Sequence, residues 1–204
     1  MINLVDTGQC FRAPEPSWFD TETDWEQVRA ELLQFPELRD PIKCAPGMQI
    51  LRQPFVECVI SFIVSANNNI KRFTKTLAQM QFNLEWLSAQ TEDDFRKIGC
   101  GYRAPYLIES IKQLQEMNFD HLNALPDELL YKELRKVRGI GDKVAKCVML
   151  FSFHRLNVVP VDTWIKKAQQ RGIDFSKYGR YAGVAQQYVF YYMQYLKKTA
   201  GFIA

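Results

Sequence analysis

The chain contains 204 residues, of which 47% are apolar, and it carries a formal net charge of +3 at pH 7. This length and composition suit one or two compact domains and exclude a disordered or low-complexity chain. The charge is unevenly distributed, because residues 131–204 carry 14 Lys and Arg against 4 Asp and Glu, whereas residues 1–130 carry 12 against 19. A positive C-terminal half favours a polyanionic partner, although ordinary solvated helix faces would give the same asymmetry.

Neither the start of the chain nor its apolar runs indicate secretion or membrane insertion. Residues 1–6 lack the basic and apolar regions of a secretory signal, and no uncharged apolar run approaches the roughly 20 residues that cross a bilayer. The five cysteines are dispersed and form no C-x-x-C pair, which argues against a disulfide framework, a zinc site and an iron–sulfur cluster. We therefore expect a soluble intracellular protein with reduced cysteines, no metal or other cofactor, and no membrane partner.

The hydrophobic periodicity predicts a mainly α protein. Residues 54–65 are apolar on nearly every face, which is typical of a buried central helix. Only residues 2–12 and 158–161 have strand character, and no repeats are present. We therefore expect a single unit over residues 1–204, with two helical lobes and a minimal extended N-terminal segment. Helices are predicted over residues 21–35, 54–65, 69–80, 103–117, 126–137, 142–154, 161–170 and 181–198, with a further short helix after a capping box at Thr91–Asp94.

The richest chemistry lies in a helix–turn–helix stretch at about 127–154, whose centre reads LRKVRGIGDKVAKCVMLF. One predicted helix ends near Val137, Gly139 and Gly141 form a tight turn, and Asp142 is expected to cap the next helix. Glycines allow a ligand to approach the backbone closely, and the amides of a helix N-terminus attract phosphate. A G-x-G between two helices can also be no more than a turn.

Two ionisable residues flank this turn. Lys143 falls in the first turn of the second predicted helix, where the helix dipole disfavours additional positive charge and so favours the neutral, nucleophilic amine. Asp162 follows about twenty residues later in the segment VPVDTW, where a helix is predicted to begin. Asp162 could serve simply as a helix N-cap. An amine and a carboxylate beside a phosphate-binding turn nevertheless form a coherent candidate for catalysis.

These motifs resemble the signature of the helix-hairpin-helix DNA glycosylases and, among them, of the 8-oxoguanine DNA glycosylases. The similarity includes the hairpin VRGIGDKVAKCVMLF together with the VPVDTW that follows it. The resemblance implies a helix-hairpin-helix glycosylase fold and a DNA-repair enzyme that extrudes an oxidised guanine and breaks its glycosidic bond. Four further segments match the family in the same order along the chain: TGQCFR at 7–12, LRQPFVEC with SFIVSANNNI at 51–70, GYRAPY at 101–106 and YAGVAQQYVFYY at 181–192.

The resemblance assigns catalysis to Lys143 and Asp162. Lys143 would be the nucleophile that forms a Schiff base and then supports β-elimination of the strand, and Asp162 would assist it. The plain structural alternatives for the base pocket are helix packing for Cys147 and a core aromatic for Phe190. The residues implied around the extruded base are Gly8, with its carbonyl accepting from N7–H, Gln186 at the Watson–Crick edge, and Cys147 and Phe190 on the two faces of the ring.

The same resemblance implies a set of DNA-contacting residues. Asn67 and Arg103 would pair with the cytosine left behind, with Arg72 beside them, and Tyr102 would wedge into the gap in the base stack. Asn67 could instead belong to an ordinary turn, and Tyr102 to the core. The implied partner is double-stranded DNA containing oxidised guanine, bound by a monomer, and the implied location is cytoplasmic and nucleoid-associated. The hairpin residues expected to contact DNA phosphates are Gly139, Gly141 and Lys146.

The chain departs from the family at its N-terminus. Arg12 is followed almost at once by APEPSWFD, where relatives insert several strands, so only a remnant of the β-rich lobe is expected at 1–20. This shortening fits either a compact natural variant or an engineered miniature, and it affects the role of Gly8 most. Two other functions stay open: a glycosylase for another damaged purine, and a helix-hairpin-helix DNA-binding module with weak or no catalysis.

Overall fold

The computed structural model describes residues 16–199, and within this range the chain forms twelve α-helices and four 3-10 helices but no strand. Gly8, the predicted strand over residues 2–12 and most of the expected β-lobe remnant lie outside the described residues. The 3-10 helices are Pro16–Trp18, Pro36–Leu38, Gly101–Arg103 and Phe175–Tyr181. The α-helices α1 to α12 are Trp25–Leu32, Arg39–Cys44, Phe55–Ser65, Ile70–Leu77, Leu84–Ser88, Glu92–Lys97, Ala104–Gln115, Phe119–Asn123, Asp127–Lys136, Asp142–Phe151, Thr163–Gln170 and Ala182–Thr199.

This architecture confirms the mainly α prediction and most of the predicted helices. The capping box is present at the start of α6, where the Asp94 amide donates to Thr91 Oγ1 at 3.2 Å and the Thr91 amide donates to Asp94 Oδ2 at 3.1 Å. The strand character assigned to residues 158–161 is wrong, because no second strand lies within residues 16–199 to pair with this stretch. None of the helices in the described range combines the length and apolar character of a membrane span.

The first helix is shorter than predicted at both ends. It begins at Trp25 because Asp24, rather than Thr21, accepts the amides of the first turn, from Glu26 and Gln27 at 3.0 Å each. It ends at Leu32, three residues before the predicted end at Phe35. Phe35 precedes a proline, which disfavours helical backbone at that position, and it has φ −92° and ψ 113°.

Three short helices, α2, α5 and α8, are absent from the prediction. They contain five or six residues, too few to display a helical hydrophobic period. Asparagine caps nonetheless begin two of them: Asn83 accepts from the Trp86 amide at 2.7 Å, and Asn118 accepts from the His121 amide at 2.9 Å. A cap residue alone is a weaker signal than a cap followed by periodic apolar residues.

The central helix α3 is buried along almost its whole length and packs against α10, which in turn packs against α9. Helix α12 lies directly on the connection that follows α10. The Gly183 amide donates to the Leu156 carbonyl at 2.8 Å, and a Cβ at position 183 would lie 2.3 Å from the carbonyl oxygen of Val158. Only glycine permits this approach, which brings α12 and the start of α11 to the same side of the molecule.

Candidate functional site

A cleft of about 940 Å³ opens between the end of α3, the turn between α9 and α10, the start of α11 and the middle of α12. Its walls include the aromatic side chains of Phe62 and Trp164 as well as charged groups. The cleft brings together residues that are far apart in the sequence. Six of the predicted site residues line it: Asn67, Gly139, Gly141, Lys143, Asp162 and Phe190.

The turn between α9 and α10 has the glycine-dependent geometry that the sequence predicts. Gly139 has φ +86°, a left-handed backbone conformation that favours glycine, and a Cβ there would already touch Tyr106 Cβ at 3.4 Å. Gly141 is the N-cap of α10, and no side chain in the described part of the chain caps the first-turn amides. These amides therefore remain available to an anion such as a phosphate.

Asp142 does not cap α10 as predicted, because it is the first residue of the helix. Its carboxylate accepts a hydrogen bond from Tyr131 Oη at 2.8 Å and forms an ion pair with Lys146 Nζ at 3.1 Å. Burial alone would raise the pKa of Asp142, but the bonds from Tyr131 and Lys146 outweigh it and lower the pKa. Lys146, predicted to contact phosphate, therefore engages a carboxylate of its own helix.

Lys143 lies half-buried in the first turn of α10, and its ammonium nitrogen is 4.7 Å from the centre of the Phe62 ring. One turn further along the helix is Cys147, which is 3% exposed. Burial raises the pKa of the Cys147 thiol, the neighbouring Lys143 ammonium opposes this shift, and the Asp162 carboxylate adds to it. Lys143, Cys147 and Asp162 therefore form one interacting cluster, which we call the amine cluster.

Asp162 is both a helix cap and a wall of the cleft. Its Oδ1 accepts from the amides of Trp164 and Ile165 at 2.9 Å each, which starts α11. Among the described residues no group donates to its second carboxylate oxygen. The simple capping interpretation and the catalytic one are therefore compatible, since one oxygen fixes the helix and the other can interact with a ligand.

The predicted base pocket is brought together only in part. Phe190 is half-buried and lines the cleft, whereas Gln186 and Cys147 are buried and do not line it. The side-chain oxygen of Gln186 accepts from Gln187 Nε2 at 2.6 Å. In this structure Gln186 is thus committed to a neighbour, and its role towards a base stays a prediction.

The predicted opposite-base residues surround the turn between α3 and α4. Arg103 is only 4% exposed, and its guanidinium donates to the backbone carbonyls of Ala66, at 2.9 Å through Nε, and of Asn67, at 3.0 Å. It also lies 4.4 Å from the centre of the Tyr102 ring. Asn67 is exposed in a left-handed conformation with φ +49°. Arg103 therefore holds the turn that presents Asn67.

Two other predicted DNA contacts lie on the surface beside this turn. Tyr102 is 55% exposed, which is unusual for a tyrosine and suits a side chain that enters DNA. The guanidinium of Arg72 is exposed and lies near Gly101, the residue before Tyr102, since a Cβ there would be 3.9 Å from its NH2 group. The structure thus groups Arg72, Tyr102, Arg103 and Asn67 at one place.

Sequence reasoning missed two contributors to the site. Trp164 lines the cleft two residues after Asp162, and its position in the VPVDTW segment was the available signal. Gln113 of α7 bridges the hairpin turn, because its side chain accepts from the Arg138 amide at 2.8 Å and donates to the Lys136 carbonyl at 3.1 Å. No local pattern identifies Gln113, since its partners lie more than twenty residues away. Within the described residues no group of three or more His, Cys, Asp or Glu could hold a metal ion.

Curated relatives of this chain include N-glycosylase/DNA lyases. No protein-family model matches the chain. The N-glycosylase/DNA lyase OGG1 of Arabidopsis thaliana is 32% identical over 209 residues, covering 81% of this chain and 56% of the plant protein. The N-glycosylase/DNA lyase of Saccharomyces cerevisiae is 32% identical over 161 residues, covering 64% of this chain and 43% of the yeast protein. The chain thus spans about half the length of these curated relatives.

Solved structures match over nearly the whole chain. The 8-oxoguanine glycosylase/lyase of Clostridium acetobutylicum, in complex with double-stranded DNA containing cytosine opposite 8-oxoguanine, superposes with a TM-score of 0.83 at 27% identity. This match covers 98% of this chain and 93% of the other. A 3-methyladenine DNA glycosylase from Archaeoglobus fulgidus matches with a TM-score of 0.64 at 20% identity, which reflects a shared fold alone.

Proposed function

Because the chain belongs to the helix-hairpin-helix superfamily of DNA glycosylases and is similar to its 8-oxoguanine members, we propose that it excises 8-oxoguanine from duplex DNA and then cleaves the strand. The observation that carries this proposal is the amine cluster. A lysine amine and an aspartate carboxylate share a cleft beside a turn whose backbone amides can donate hydrogen bonds to a phosphate. This combination suits attack on a sugar held next to its own backbone.

In the proposed reaction the Lys143 nitrogen forms a bond to the sugar C1′ while the bond from C1′ to the base breaks. The base leaves with the electron pair of that bond and takes up a proton. Loss of a proton from nitrogen and opening of the sugar ring then give an imine. C2′ next gives up a proton to solvent, the C2′–C3′ double bond forms, and the 3′ phosphate leaves with the electrons of the C3′–O bond. Asp162, through the oxygen not used in capping, stabilises the positive charge that develops on the sugar.

The environment of Lys143 supports its role as the nucleophile. The position of the amine, 4.7 Å from the centre of the Phe62 ring, limits the conformations that the side chain can adopt. A reacting group held in this way loses less entropy in reaching the transition state. The uncapped start of α10 holds the phosphate nearby, so the sugar and the amine are oriented by the same helix.

Access to the base requires its extrusion from the duplex, which costs a few kcal/mol in lost stacking and pairing. Tyr102, which is exposed, would fill the gap in the stack, and the exposed Asn67 would hydrogen-bond the unpaired cytosine. Arg103 would join them by exchanging a turn carbonyl for the edge of the cytosine. We therefore propose that cytosine is the preferred opposite base.

Selection of the oxidised base is proposed to involve Gly8, Gln186, Cys147 and Phe190. Guanine has an acceptor at N7 where 8-oxoguanine has a donor, so a carbonyl facing N7 is left unpaired by guanine. Such an unpaired group costs about 1–3 kcal/mol, which makes this contact one part of the selectivity. The whole chain is proposed to act as one monomeric unit on double-stranded DNA.

Borohydride trapping tests the proposal. A duplex containing 8-oxoguanine opposite cytosine should yield a covalent protein–DNA adduct, and Lys143→Gln should abolish the adduct while leaving damage-specific binding largely intact. Lys132→Gln is the matched control, since Lys132 is an exposed lysine of α9 outside the cleft lining. An adduct formed by Lys143→Gln at the normal rate would show that another amine is the nucleophile. No adduct with the unchanged protein would favour a non-catalytic DNA-binding module.

A further inference from the structure

The cleft continues past the amine cluster along α11. Trp164 is in the first turn of α11, two residues after Asp162, and its half-buried ring forms part of the cleft wall. The ammonium groups of Lys167 and Lys197 lie 5.5 and 5.3 Å from the centre of this ring. Two helices, α11 and α12, therefore bring positive charge to one aromatic side chain at the edge of the cleft.

This pair of lysines has no anionic partner within the described residues. Neither Lys167 nor Lys197 forms an ion pair there, and both are exposed. The face of an aromatic ring attracts a cation, but it does not cancel the repulsion between two of them. Lys166, which is also exposed, lines the same cleft and adds a third positive charge. An anion is the ligand that this arrangement lacks.

The position of the two lysines fits the backbone of the DNA strand that carries the lesion. Lys197 follows Gln194 by three residues on α12, and residues at this spacing share a helix face, so Lys197 stands next to a residue of the cleft wall. Lys167 lies five residues after Asp162, about 7.5 Å along the helix axis. Successive phosphates of one strand advance by about 3.4 Å along the duplex axis.

We propose that Trp164, Lys167 and Lys197 form a phosphodiester-binding platform, which holds the damaged strand within about two nucleotides of the extruded base. Trp164 orients the two ammonium groups, and the ammonium groups bind one phosphate or two adjacent ones. This inference rests on the proposed function, because it assumes that a nucleotide of duplex DNA occupies the cleft. A merely structural alternative is that the lysine stems pack against the tryptophan and the charges have no ligand.

Replacement of single phosphates separates these two alternatives. The probe is a duplex with an uncleavable abasic analogue opposite cytosine, in which one phosphate at a time, up to three on either side of the analogue, is replaced by a neutral methylphosphonate. The affinity of the full-length protein is measured by fluorescence anisotropy at about 0.1 M salt. The Lys167→Met and Lys197→Met double variant keeps the packed stems and removes both charges, and Lys43→Met, at an exposed lysine of α2, is the matched control.

We expect one or two methylphosphonates on the same side of the analogue to weaken binding of the unchanged protein by roughly five- to tenfold each, the effect of losing one phosphate contact at this salt concentration. The same replacements should have no further effect on the double variant, whereas Lys43→Met should behave like the unchanged protein. Trp164→Ala should also reduce the effect of these methylphosphonates, because the lysines lose their common support, and Trp164→Phe should retain part of it.

Equal methylphosphonate effects in the double variant and the unchanged protein at every position would overturn the platform while leaving the proposed function intact. The platform would also be overturned, with the proposed function intact, if the double variant bound every duplex with unchanged affinity. That result is expected if the lysines only pack against Trp164 or bind an acidic protein segment instead of DNA. Failure of the unchanged protein to prefer the abasic duplex over an undamaged one would instead overturn the proposed function, and the platform with it.

Discussion

Helix α10 carries a polar cluster near each end, and the two clusters differ in one respect. At its start, Lys143 and Asp162 of the amine cluster line an open cleft. Just beyond its end, His154 Nε2 lies 2.7 Å from Asp20 Oδ2, and Arg52 Nε donates to Asp20 Oδ1 at 3.2 Å. The side chain of Asp20 is fully buried, so this carboxylate is closed to ligands.

The carboxylates of the two clusters differ in how their oxygens are bonded. Asp162 uses one oxygen to cap α11, and within residues 16–199 no group donates to the other, whereas both oxygens of Asp20 are bonded. A buried charge that is fully paired stabilises the fold, and a charge with one uncommitted oxygen can act on a ligand. Substitutions at the start of α10 and at Asp162 should therefore change activity, and substitutions in the cluster beyond the end of α10 should change stability.

The largest expected effect is that of Asp162→Asn on the rate of base excision. Asparagine caps a helix about as well as aspartate, so α11 should persist, but the charge proposed to stabilise the transition state is lost. We expect the single-turnover rate to fall on the order of 10²–10³-fold, with the free energy of unfolding nearly unchanged. Asp162→Ala should additionally lose about 1 kcal/mol of stability. A normal rate for Asp162→Asn would assign the carboxylate to capping alone.

The complementary change is Asp20→Asn. It removes a charged acceptor that binds both His154 and Arg52, and hydrogen bonds to charged groups contribute about 1.5–3 kcal/mol. We expect urea unfolding to show a stability loss of this order, with trapping by borohydride unaffected at temperatures where the variant is folded. A variant that is stable but inactive would contradict the division between the two clusters.

Substitution of Arg103 tests whether one residue can contribute both to stability and to the recognition of DNA. Arg103→Ala leaves the carbonyls of Ala66 and Asn67, whose hydrogen bonds to Arg103 are partly buried, without this charged donor, which should cost about 1–3 kcal/mol of stability. If Arg103 also reads cytosine, the preference among opposite bases should relax by about 1–3 kcal/mol. Excision rates opposite each of the four bases measure the second effect. Stability lost without any change in preference would assign Arg103 to the turn only.

Stability should fall on mild acidification because of His154. Burial, followed by the nearby Arg52, lowers the pKa of His154 below its usual value, and its Nδ1 is buried without a hydrogen-bond partner among the described residues. The unfolded chain therefore binds a proton that the folded chain does not, so stability decreases as pH drops below about 6.5, by at most about 1.4 kcal/mol per pH unit.

Asp20 adds a second decrease at lower pH. Although burial opposes the shift, hydrogen bonds from Thr23, Glu22 and His154 lower the pKa of Asp20 to about 2, so its contribution is lost as pH falls from about 4 towards 2. In His154→Asn the decrease just below pH 6.5 should be smaller, because asparagine tolerates the left-handed backbone at this position, φ +55°, and does not titrate. Urea unfolding at pH 7.5 and 5.5 provides the measurement, and an unchanged slope would contradict the assignment to His154.

The smallest expected effect concerns Gln113, which bridges the hairpin turn. Gln113→Glu cannot donate to the Lys136 carbonyl and should loosen the turn by about 0.5–1.5 kcal/mol. Hydrogen exchange of the Arg138 amide should become faster, and affinity for undamaged duplex should decrease. Gln115→Glu makes the same charge change near the end of α7 and serves as the control. Equal losses of affinity in both variants would indicate charge repulsion from DNA rather than the bridge.

The sequence predicted the features that depend on local chemistry. Helix starts at Thr91 and Asp162 follow from side chains that accept amides two or three residues ahead, and α3 follows from its continuous apolar run. The helix-hairpin-helix glycosylase fold, expected from motif resemblance, is confirmed by the structural matches. The glycines of the hairpin were predicted for the same local reason, since Gly139 requires a left-handed backbone.

Contacts between distant parts of the chain were not predictable. Asp20 and His154 are 134 residues apart, and Arg103 meets the carbonyls of Ala66 and Asn67 across 37 and 36 residues. Asp142 was predicted as a cap because its sequence position allows it, yet its carboxylate accepts a hydrogen bond from Tyr131 Oη instead. Which of several possible hydrogen-bond partners a long side chain contacts is determined only once the fold has formed.

The close approach of Gly183 to residues 156–158 gives the cleft a fixed frame. A single methyl group at position 183 would meet the carbonyl oxygens of Val158 and Leu156 at 2.3 and 2.9 Å, too close for either backbone to stay in place. Asp162 follows this connection by four residues, and Phe190 follows Gly183 by two turns of α12. The ring of Phe190 and the carboxylate of Asp162, which line the same cleft, are therefore held in a fixed relation to each other by the absence of one carbon atom at position 183.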